Sequence, residues 1–181
     1  MSKKYTKVVV LCEDRQQEVF ARHFLVNCGI IPGRIRVKVA PPARGSGEQR
    51  VREKYLQEVR AHRARCKSRH IALVVLIDAD KGSVNNRLRQ LENELTSNSL
   101  PRRKPNERIA VFVPKRNIET WIHYLMDEQV NEDKAYPKLE RKGDCKPYVA
   151  AFARDCRDHR SLPEDAPASL KAACGELVRI L

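Results

Sequence analysis

Residues 70–80 read HIALVVLIDAD, an apolar run that stops abruptly at two aspartates. A continuous run of this kind predicts a strand, His70–Ile77, that is buried on both faces of its sheet. Strands buried in this way belong to parallel sheets that helices cover on each side. The stretch therefore favours an α/β fold, and it places Asp78 and Asp80 directly after a strand.

Outward from this strand, the chain alternates between strand and helix patterns. Apolar runs predict three further strands, at Lys7–Cys12, Arg34–Ala40 and Arg108–Val113, of which the second is half exposed and near a sheet edge. Apolar residues at helical spacing predict helices at Arg15–Asn27, about Glu48–Cys66, Ser83–Leu95 and Asn117–Met126. This order predicts a mainly parallel four-stranded sheet with helices on both faces.

The last third of the chain, residues 127–181, carries no strong strand signal. Helix patterns are present at Tyr148–Cys156 and Ala168–Ile180, and Pro-containing loops join them. We therefore expect a first domain over residues 1–126 and a helical C-terminal extension that packs on it.

The chain of 181 residues has 36 Lys and Arg against 23 Asp and Glu, a formal net charge of +13. No apolar run approaches the roughly 18 residues of a membrane-spanning helix. The apolar N-terminal run meets Glu13 and Asp14 too early for a signal peptide, so we expect a cytoplasmic protein. The positive excess suggests nucleic acid as a partner, although a basic surface can also serve solubility alone.

Six cysteines are spread along the chain without a CxxC pair. Their wide spacing predicts small buried residues or incidental thiols of a reducing compartment, not a disulfide framework. A zinc site of Cys145, Cys156 and His159 is a weak alternative, because no fourth ligand has suitable spacing.

Acidic residues follow three of the predicted strands. Glu13 and Asp14 follow the first, Asp78 and Asp80 the third, and Glu119 lies in the first turn of the helix after the fourth. Parallel strands bring their carboxyl ends to one edge, where clustered carboxylates repel one another unless a cation compensates them. Because Asp78 and Asp80 lie two apart on extended backbone, both can face one Mg²⁺ or Mn²⁺ ion. Any single acid could instead cap a helix.

Basic residues form two clusters that suit a phosphodiester substrate. Residues 50–69 contain eight Lys or Arg against two Glu and include Arg50 and Arg63, although such a helix face is often merely solvated. The second cluster contains Arg102, Arg103, Lys104, Arg108, Lys115 and Arg116. Of these, Lys115 or Arg116 could stabilise charge on a reacting phosphate, because both lie between a strand end and Glu119.

The loop Arg44-Gly45-Ser46-Gly47 precedes a predicted helix. The N–H groups at such a helix start can bind a phosphate, so Arg44 and Ser46 are candidate nucleic-acid contacts. An ATP-binding loop is not expected, because the Lys-Ser/Thr pair of the Walker motif is missing.

The residues named so far resemble a Toprim domain, the fold shared by topoisomerases, primases, recombination proteins and the overcoming-lysogenization-defect nucleases. The resemblance covers roughly residues 7–126 and rests on a strand ending in Glu13, a later strand ending in Asp78-Ala79-Asp80, and the β/α order between them. The segment VPKRNIETW, residues 113–121, is similar to small stand-alone bacterial Toprim-like proteins. Some of these are encoded beside ABC-type ATPases in phage-defence systems.

This resemblance implies a Rossmann-like sheet and a Mg²⁺- or Mn²⁺-dependent nuclease acting on DNA or RNA. By the same resemblance, Asp78 and Asp80 would hold the metal. Glu13 would be a general acid or base, or a ligand, and Glu119 would be a further ligand. An ABC-type ATPase would be a partner in phage defence.

Two positions beside Glu13 differ from the family pattern, and Gly82 follows the Asp pair one residue earlier than the family's usual spacing. Asp14 follows Glu13 where the family usually has Gly, and Gln17 stands where the nuclease branch often has a second Glu. These differences motivate an alternative hypothesis, a non-catalytic module that binds nucleic acid or docks on a partner.

Three other reaction classes fit less of the pattern. A haloacid dehalogenase has its nucleophilic Asp after the first strand, whereas the Asp pair here follows the third. A phosphoacceptor receiver domain needs a single Asp after the third strand and a Lys after the last strand, whereas this chain has two aspartates after the third strand. A primase-like nucleotidyl transferase would need a nucleotide site that the sequence does not reveal.

Overall fold

The structure is a computed structural model and describes residues 6–39, 46–65, 70–158 and 162–181. The predicted strands form β1 (Lys7–Cys12), β2 (Ile35–Val39), β3 (Ile71–Leu76) and β4 (Ile109–Phe112). They lie in the order β2-β1-β3-β4, and each neighbouring pair is parallel. The prediction of a four-stranded parallel sheet with the second strand at an edge is therefore confirmed.

The helices occupy the predicted parts of the chain. They are α1 (Arg15–Asn27), α2 (Gly47–Ala64), α3 (Val84–Thr96), α4 (Ile118–Leu125), α5 (Lys146–Asp158) and α6 (Ala168–Glu176). Short 3₁₀ turns precede β2 at Pro32–Arg34 and follow α6 at Leu177–Arg179. No helix in these described ranges combines the length and the apolar character of a membrane span.

Helices cover both faces of the sheet, because successive side chains of a strand point to opposite faces. Val10 and Val74 belong to one core, which α1, α4, α5 and α6 complete. Leu11 and Val75 belong to a second core, which α2 and α3 complete. The observed architecture is thus the Rossmann-like α/β arrangement with a helical C-terminal region that the sequence predicts.

The C-terminal helices share the first of these cores with the sheet. α5 packs against α1, where the ring centroids of Phe24 and Phe152 lie 5.1 Å apart. α6 contacts β4, and its Leu170 is fully buried in the same core. Helices α5 and α6 therefore cover part of one face of the sheet, together with α1 and α4.

The prediction that all cysteines are unpaired is wrong for two of them. Cys156 at the end of α5 and Cys174 in α6 form a disulfide, with their Cα atoms 5.4 Å apart. Sequence spacing did not reveal the pair, because the loop between the two helices brings them together. Cys145 is a buried free thiol. With Cys156 bonded, the weak zinc alternative loses one ligand, and its His159 lies outside the described residues.

All four strands run in the same direction, so their carboxyl ends share one edge of the sheet, here called the carboxyl edge. The helices α1 to α4 begin at this edge, because each follows a strand that ends there. Helix N-termini carry partial positive charge and favour acidic side chains nearby. The fold therefore gathers the acids that follow the strands at one place.

Candidate functional site at the carboxyl edge

Glu13 and Asp78 connect the ends of β1 and β3. Glu13 Oε1 accepts a hydrogen bond of 2.5 Å from the main-chain N–H of Asp78. The Glu13 N–H in turn donates to Gln17 Oε1 at 2.9 Å, and Gln17 is fully buried. Gln17 therefore holds Glu13 in place.

Gly47, the first residue of α2, packs directly against the Glu13 side chain. A Cβ atom at position 47 would lie 3.0 Å from Glu13 Cβ and 3.1 Å from Glu13 Oε2. Nine in ten Cβ contacts are longer than this, so a side chain at position 47 would require the Glu13 side chain to shift by a few tenths of an ångström. Ser46 caps α2 by accepting a hydrogen bond from the Gln49 N–H. The positive end of α2 therefore faces the Glu13 carboxyl group.

Asp78 and Glu119 each have a buried carboxyl oxygen without a hydrogen-bond partner in the described structure, Asp78 Oδ1 and Glu119 Oε1. Glu119 is only 2% exposed, in the first turn of α4. Such atoms are unusual in folded proteins, because an unpaired buried oxygen loses its hydration without compensation. A bound cation or a proton would satisfy both atoms.

The electrostatics of these acids are coupled. Burial raises the pKa of Asp78 well above its usual value, and the neighbouring charges of Glu13 and Glu119 raise it further. Burial also raises the pKa of Glu13, to about 7, and the charge of Asp80 adds to this effect. The pKa of Glu119 is raised by burial and by Asp14. Each acid is therefore costly to ionise beside the others.

Asp80 does not lie beside Asp78 in the expected way. β3 ends at Leu76, and Asp80 has a left-handed backbone with φ of 54°. Its N–H donates to the Arg116 carbonyl at 3.2 Å, and its half-exposed carboxylate lies 3.3 Å from Arg87 Nη2. The backbone at Asp80 is therefore no longer extended, so the side-chain alternation of a strand does not place Asp78 and Asp80 on one side.

Arg87 in α3 is a site residue that the sequence analysis did not identify. It is 6% exposed, and its Nε donates to the Asp78 carbonyl at 2.8 Å. Its Nη1 also contacts the Glu48 carboxylate in the first turn of α2. Arg87 thus holds the β3 end and the starts of α2 and α3 together. Its spacing could have identified it from the sequence, because Arg87 lies on the apolar stripe of α3, three residues after Val84.

A cleft of about 610 Å³ opens beside Asp80 at the carboxyl edge. Lys81, Arg87 and Arg116 contribute positive charge to its walls. Side-chain amides and a hydroxyl also line it, from Ser83, Asn86, Gln90 and Asn117. Cations and neutral donors beside acids are the groups that a phosphate ester and its counterion require.

The structure separates the two cations predicted to hold a phosphate. Arg116 lines this cleft and lowers the pKa of Asp80 against the larger, opposing effect of burial. Lys115 instead has its Nζ 2.6 Å from Asp133 Oδ1, and this hydrogen bond raises its pKa. Arg116 is therefore available to the cleft, whereas Lys115 has an acidic partner.

Asp14 has the alternative role considered above for any single acid, because it caps a helix. Asp14 Oδ1 accepts a hydrogen bond from the Gln17 N–H at 2.9 Å and so caps α1. Lys138 lies 3.4 Å from its other oxygen. Asp80 has no such role, because Ser83 caps α3.

Several predicted nucleic-acid contacts lie at the amino end of the sheet, away from the acids. Arg63 bonds to Glu107 at 2.6 Å and to the Pro101 carbonyl, and Arg103 bonds to Glu176 and to the carbonyl of Ile109, where β4 begins. These two arginines therefore join structural elements. Arg102 is 69% exposed and Lys104 is exposed, both in the loop before β4.

Only Arg50 and Ser46 among those contacts lie near the acidic cluster. Both are at the start of α2, whose first residue contacts Glu13. The predicted contact at Arg44 lies outside the described residues.

A ready-made metal site is not present among the described residues, because no three His, Cys, Asp or Glu side chains are grouped to hold an ion. Glu13 is turned to the Asp78 N–H, and Asp80 to Arg87. The donor chemistry nevertheless fits a hard divalent cation, since the unpaired buried atoms Asp78 Oδ1 and Glu119 Oε1 are carboxylate oxygens.

No protein-family model, curated protein or solved structure matches this chain.

Proposed function

We propose that this protein is a Mg²⁺- or Mn²⁺-dependent nuclease of Toprim-like type that hydrolyses nucleic-acid phosphodiester bonds. The observation that carries the proposal is the pair of unpaired buried oxygens, Asp78 Oδ1 and Glu119 Oε1, in an acidic group with Glu13. The group lies at the edge of an α/β sheet where such folds bind ligands. A net charge of +13 around a local acidic group suits a polyanion whose reaction needs a cation.

Asp78 and Glu119 would hold the metal, and Asp80 would join them if its carboxylate turned from Arg87. The bound ion would polarise the phosphate and lower the pKa of a coordinated water. Compensation of the charge on Asp78 and Glu119 also gives a physical reason why unpaired carboxylates are buried here.

The protein's own groups have defined tasks in the reaction. Arg116 and Lys81 hold non-bridging oxygens of the phosphate in the cleft, and Glu13 Oε2 takes a proton from the attacking water. The water oxygen forms a bond to phosphorus while the bond from phosphorus to the leaving sugar oxygen breaks. That oxygen takes up a proton, so the products are a phosphomonoester and a free hydroxyl.

The test uses purified protein, labelled DNA and RNA, and either Mg²⁺ or Mn²⁺. We expect cleavage that needs the divalent ion and that Asp78→Asn and Glu119→Gln abolish. Glu53→Gln, on the exposed face of α2, is the matched control and keeps wild-type activity. Equal cleavage by the wild type and Asp78→Asn would refute the assignment, since it would trace the activity to a contaminant or to another site.

Metal binding is measured separately, by the melting temperature with and without Mn²⁺. A ligand that binds only the folded state raises the melting temperature with its concentration. We expect Mn²⁺ to stabilise the wild type and Glu53→Gln but not Asp78→Asn. A shift that is the same in all three proteins would place the ion elsewhere.

A non-catalytic module that binds nucleic acid or a partner is the second candidate. It is favoured by the present engagement of the acids, with Glu13 bonded to the Asp78 N–H and Asp80 paired with Arg87. This candidate predicts salt-dependent binding to nucleic acid with no calorimetric affinity for Mg²⁺ or Mn²⁺. The nuclease hypothesis instead predicts binding of nucleic acid together with affinity for the divalent ion.

The resemblance to small bacterial Toprim-like proteins supports the cellular setting that we propose. We place the nuclease in the cytoplasm, where it would act on DNA or RNA as the effector of an ATPase-linked phage-defence system. Co-purification of a tagged copy from its host, with and without ATP, tests the association with an ABC-type ATPase.

A further inference from the structure

A second cleft, here called the α4–α5 groove, shares no lining residue with the cleft beside Asp80. It has a volume of about 740 Å³ and lies between the end of α4, the exposed side of α5 and residues 162–165. None of the residues proposed for the nuclease lines it. Its role must therefore be sought apart from phosphodiester chemistry.

The charge of the α4–α5 groove is opposite to that of the chain. Four carboxylates line it, those of Asp127, Glu128, Asp155 and Asp165, whereas no Lys or Arg is among its described lining residues. Within the described parts of the chain, Asp127 and Asp155 form no ion pair, although many other acids here do. The described lining of this groove therefore carries negative charge in a protein whose net charge is +13.

The groove also has an apolar floor and aromatic walls. Leu125 and Phe152 contribute apolar surface to it, and Tyr124 and Tyr148 line its sides. Tyr148 is 38% exposed, so a large aromatic ring is left partly in water. A partly exposed tyrosine beside apolar side chains is typical of surfaces that bind other proteins, because the ring offers contact area at a small entropy cost.

We propose that the α4–α5 groove is a docking site for a cationic segment of a partner protein, in which Lys or Arg alternates with apolar residues. The carboxylates come from three separate stretches of chain, so they are spread along the groove and match several cations along one segment. The apolar floor would take the side chains between those cations. Nucleic acid does not fit, because its phosphates would meet four carboxylates.

Charge also explains why such a contact would be specific. The net charge of +13 repels a cationic segment at long range, whereas the four carboxylates of the groove supply a local attraction. Misplaced binding is therefore disfavoured by the same net charge that the nucleic-acid substrate would need.

The test measures fluorescence anisotropy of a short labelled peptide that repeats leucine and lysine. We expect saturable binding that weakens with salt, and no binding of the same peptide with glutamate in place of lysine. Asp127→Lys/Asp155→Lys weakens binding at least about tenfold, because it replaces attraction by repulsion. Glu53→Lys/Glu140→Lys makes the same charge change outside the groove and leaves the affinity within about twofold.

Tyr148→Ala provides a test without a change of charge. We expect it to weaken peptide binding several-fold, since it removes a partly exposed ring from the groove wall. Equal losses in both lysine double variants, or equal binding of the glutamate peptide, would overturn the proposal. So would an oligomer in light scattering that only Asp127→Lys/Asp155→Lys dissociates, because the occupant would then be a second copy of this chain. Cleavage of nucleic acid, measured in parallel, keeps this outcome distinct from the proposed function.

Discussion

Glu13 Oε1 accepts a hydrogen bond of 2.5 Å from the main-chain N–H of Asp78, which joins the carboxyl ends of β1 and β3. The two residues are 65 positions apart, yet the main chain of Asp78 fixes the position of the Glu13 carboxyl group. Glu13 therefore has a structural task as well as a proposed chemical one. Substitutions of Glu13 can separate these two tasks.

Glu13→Gln is expected to fold at least as stably as the wild type at neutral pH and to have no cleavage activity. The amide oxygen can still accept from the Asp78 N–H, and a neutral group relieves the repulsion among the buried acids. Glu13→Ala leaves that N–H without an acceptor and is expected to lose about 1–3 kcal/mol of unfolding free energy. Urea unfolding followed by circular dichroism measures both. Equal stability of the two variants would show that the hydrogen bond does not support the fold.

Arg87→Met is expected to lower the unfolding free energy by about 3–5 kcal/mol, the usual effect of removing one partner from a buried ion pair. Its guanidinium group serves the Asp78 carbonyl, Glu48 and Asp80 at once, so all three would lose a partner. Arg89→Met, on the exposed face of the same helix, is the matched control and is expected to change stability by less than about 0.5 kcal/mol. If the two variants lost the same unfolding free energy, the Arg87 contacts would not contribute to stability.

The Cys156–Cys174 disulfide is expected to stabilise the protein by about 3 kcal/mol, because it closes a loop with a sequence separation of 18 in the unfolded chain. For a chain of this length, that corresponds to a loss of roughly 6–12 °C in melting temperature on reduction. The variant Cys156→Ser/Cys174→Ser should melt at the lower temperature whether or not reductant is present. Titration of all six thiols in the unreduced, unfolded protein would contradict the pairing.

His62 makes stability depend on pH. Burial lowers its pKa in the folded state, and its Nδ1 atom is buried without a hydrogen-bond partner in the described structure. Between the lowered folded pKa and the usual unfolded value, the unfolded chain binds more protons, so stability falls as the pH decreases. His62→Gln should therefore lose less unfolding free energy than the wild type between about pH 7.5 and 5.5. The matched control is His70→Gln at an exposed position, and a pH response equal to that of His62→Gln would refute the assignment.

Hydrophobic patterning predicted most of this fold. The predicted bounds of β1 and α1 are the observed ones, and those of the other strands differ by one residue at each end. Because the strands of a parallel sheet are buried on both faces, each is a continuous apolar run. This pattern can be recognised in the sequence without knowing which strands are neighbours. The acids at the strand ends were predictable for the same reason, since topology alone brings them to one edge.

The rest depends on contacts between residues distant in the sequence. Nothing local distinguishes Lys115, which pairs with Asp133, from Arg116, which lines the cleft. The left-handed backbone of Asp80 and the pairing of Cys156 with Cys174 likewise arise from how loops join elements. Arg87 alone carried a usable local signal, a charge on an apolar helix stripe.

The contact of Gly47 with Glu13 links two positions that are far apart in the chain. A Cβ atom at 47 would lie 3.0 Å from Glu13 Cβ, so a larger residue there requires Glu13 to shift by a few tenths of an ångström. Because this contact is with Cβ, it exists for every residue except glycine at position 13, whether or not the carboxyl group is kept. Glycine at 47 is therefore tied to the path of the chain at the start of α2, and its presence in a relative does not by itself show that the acid at 13 is kept.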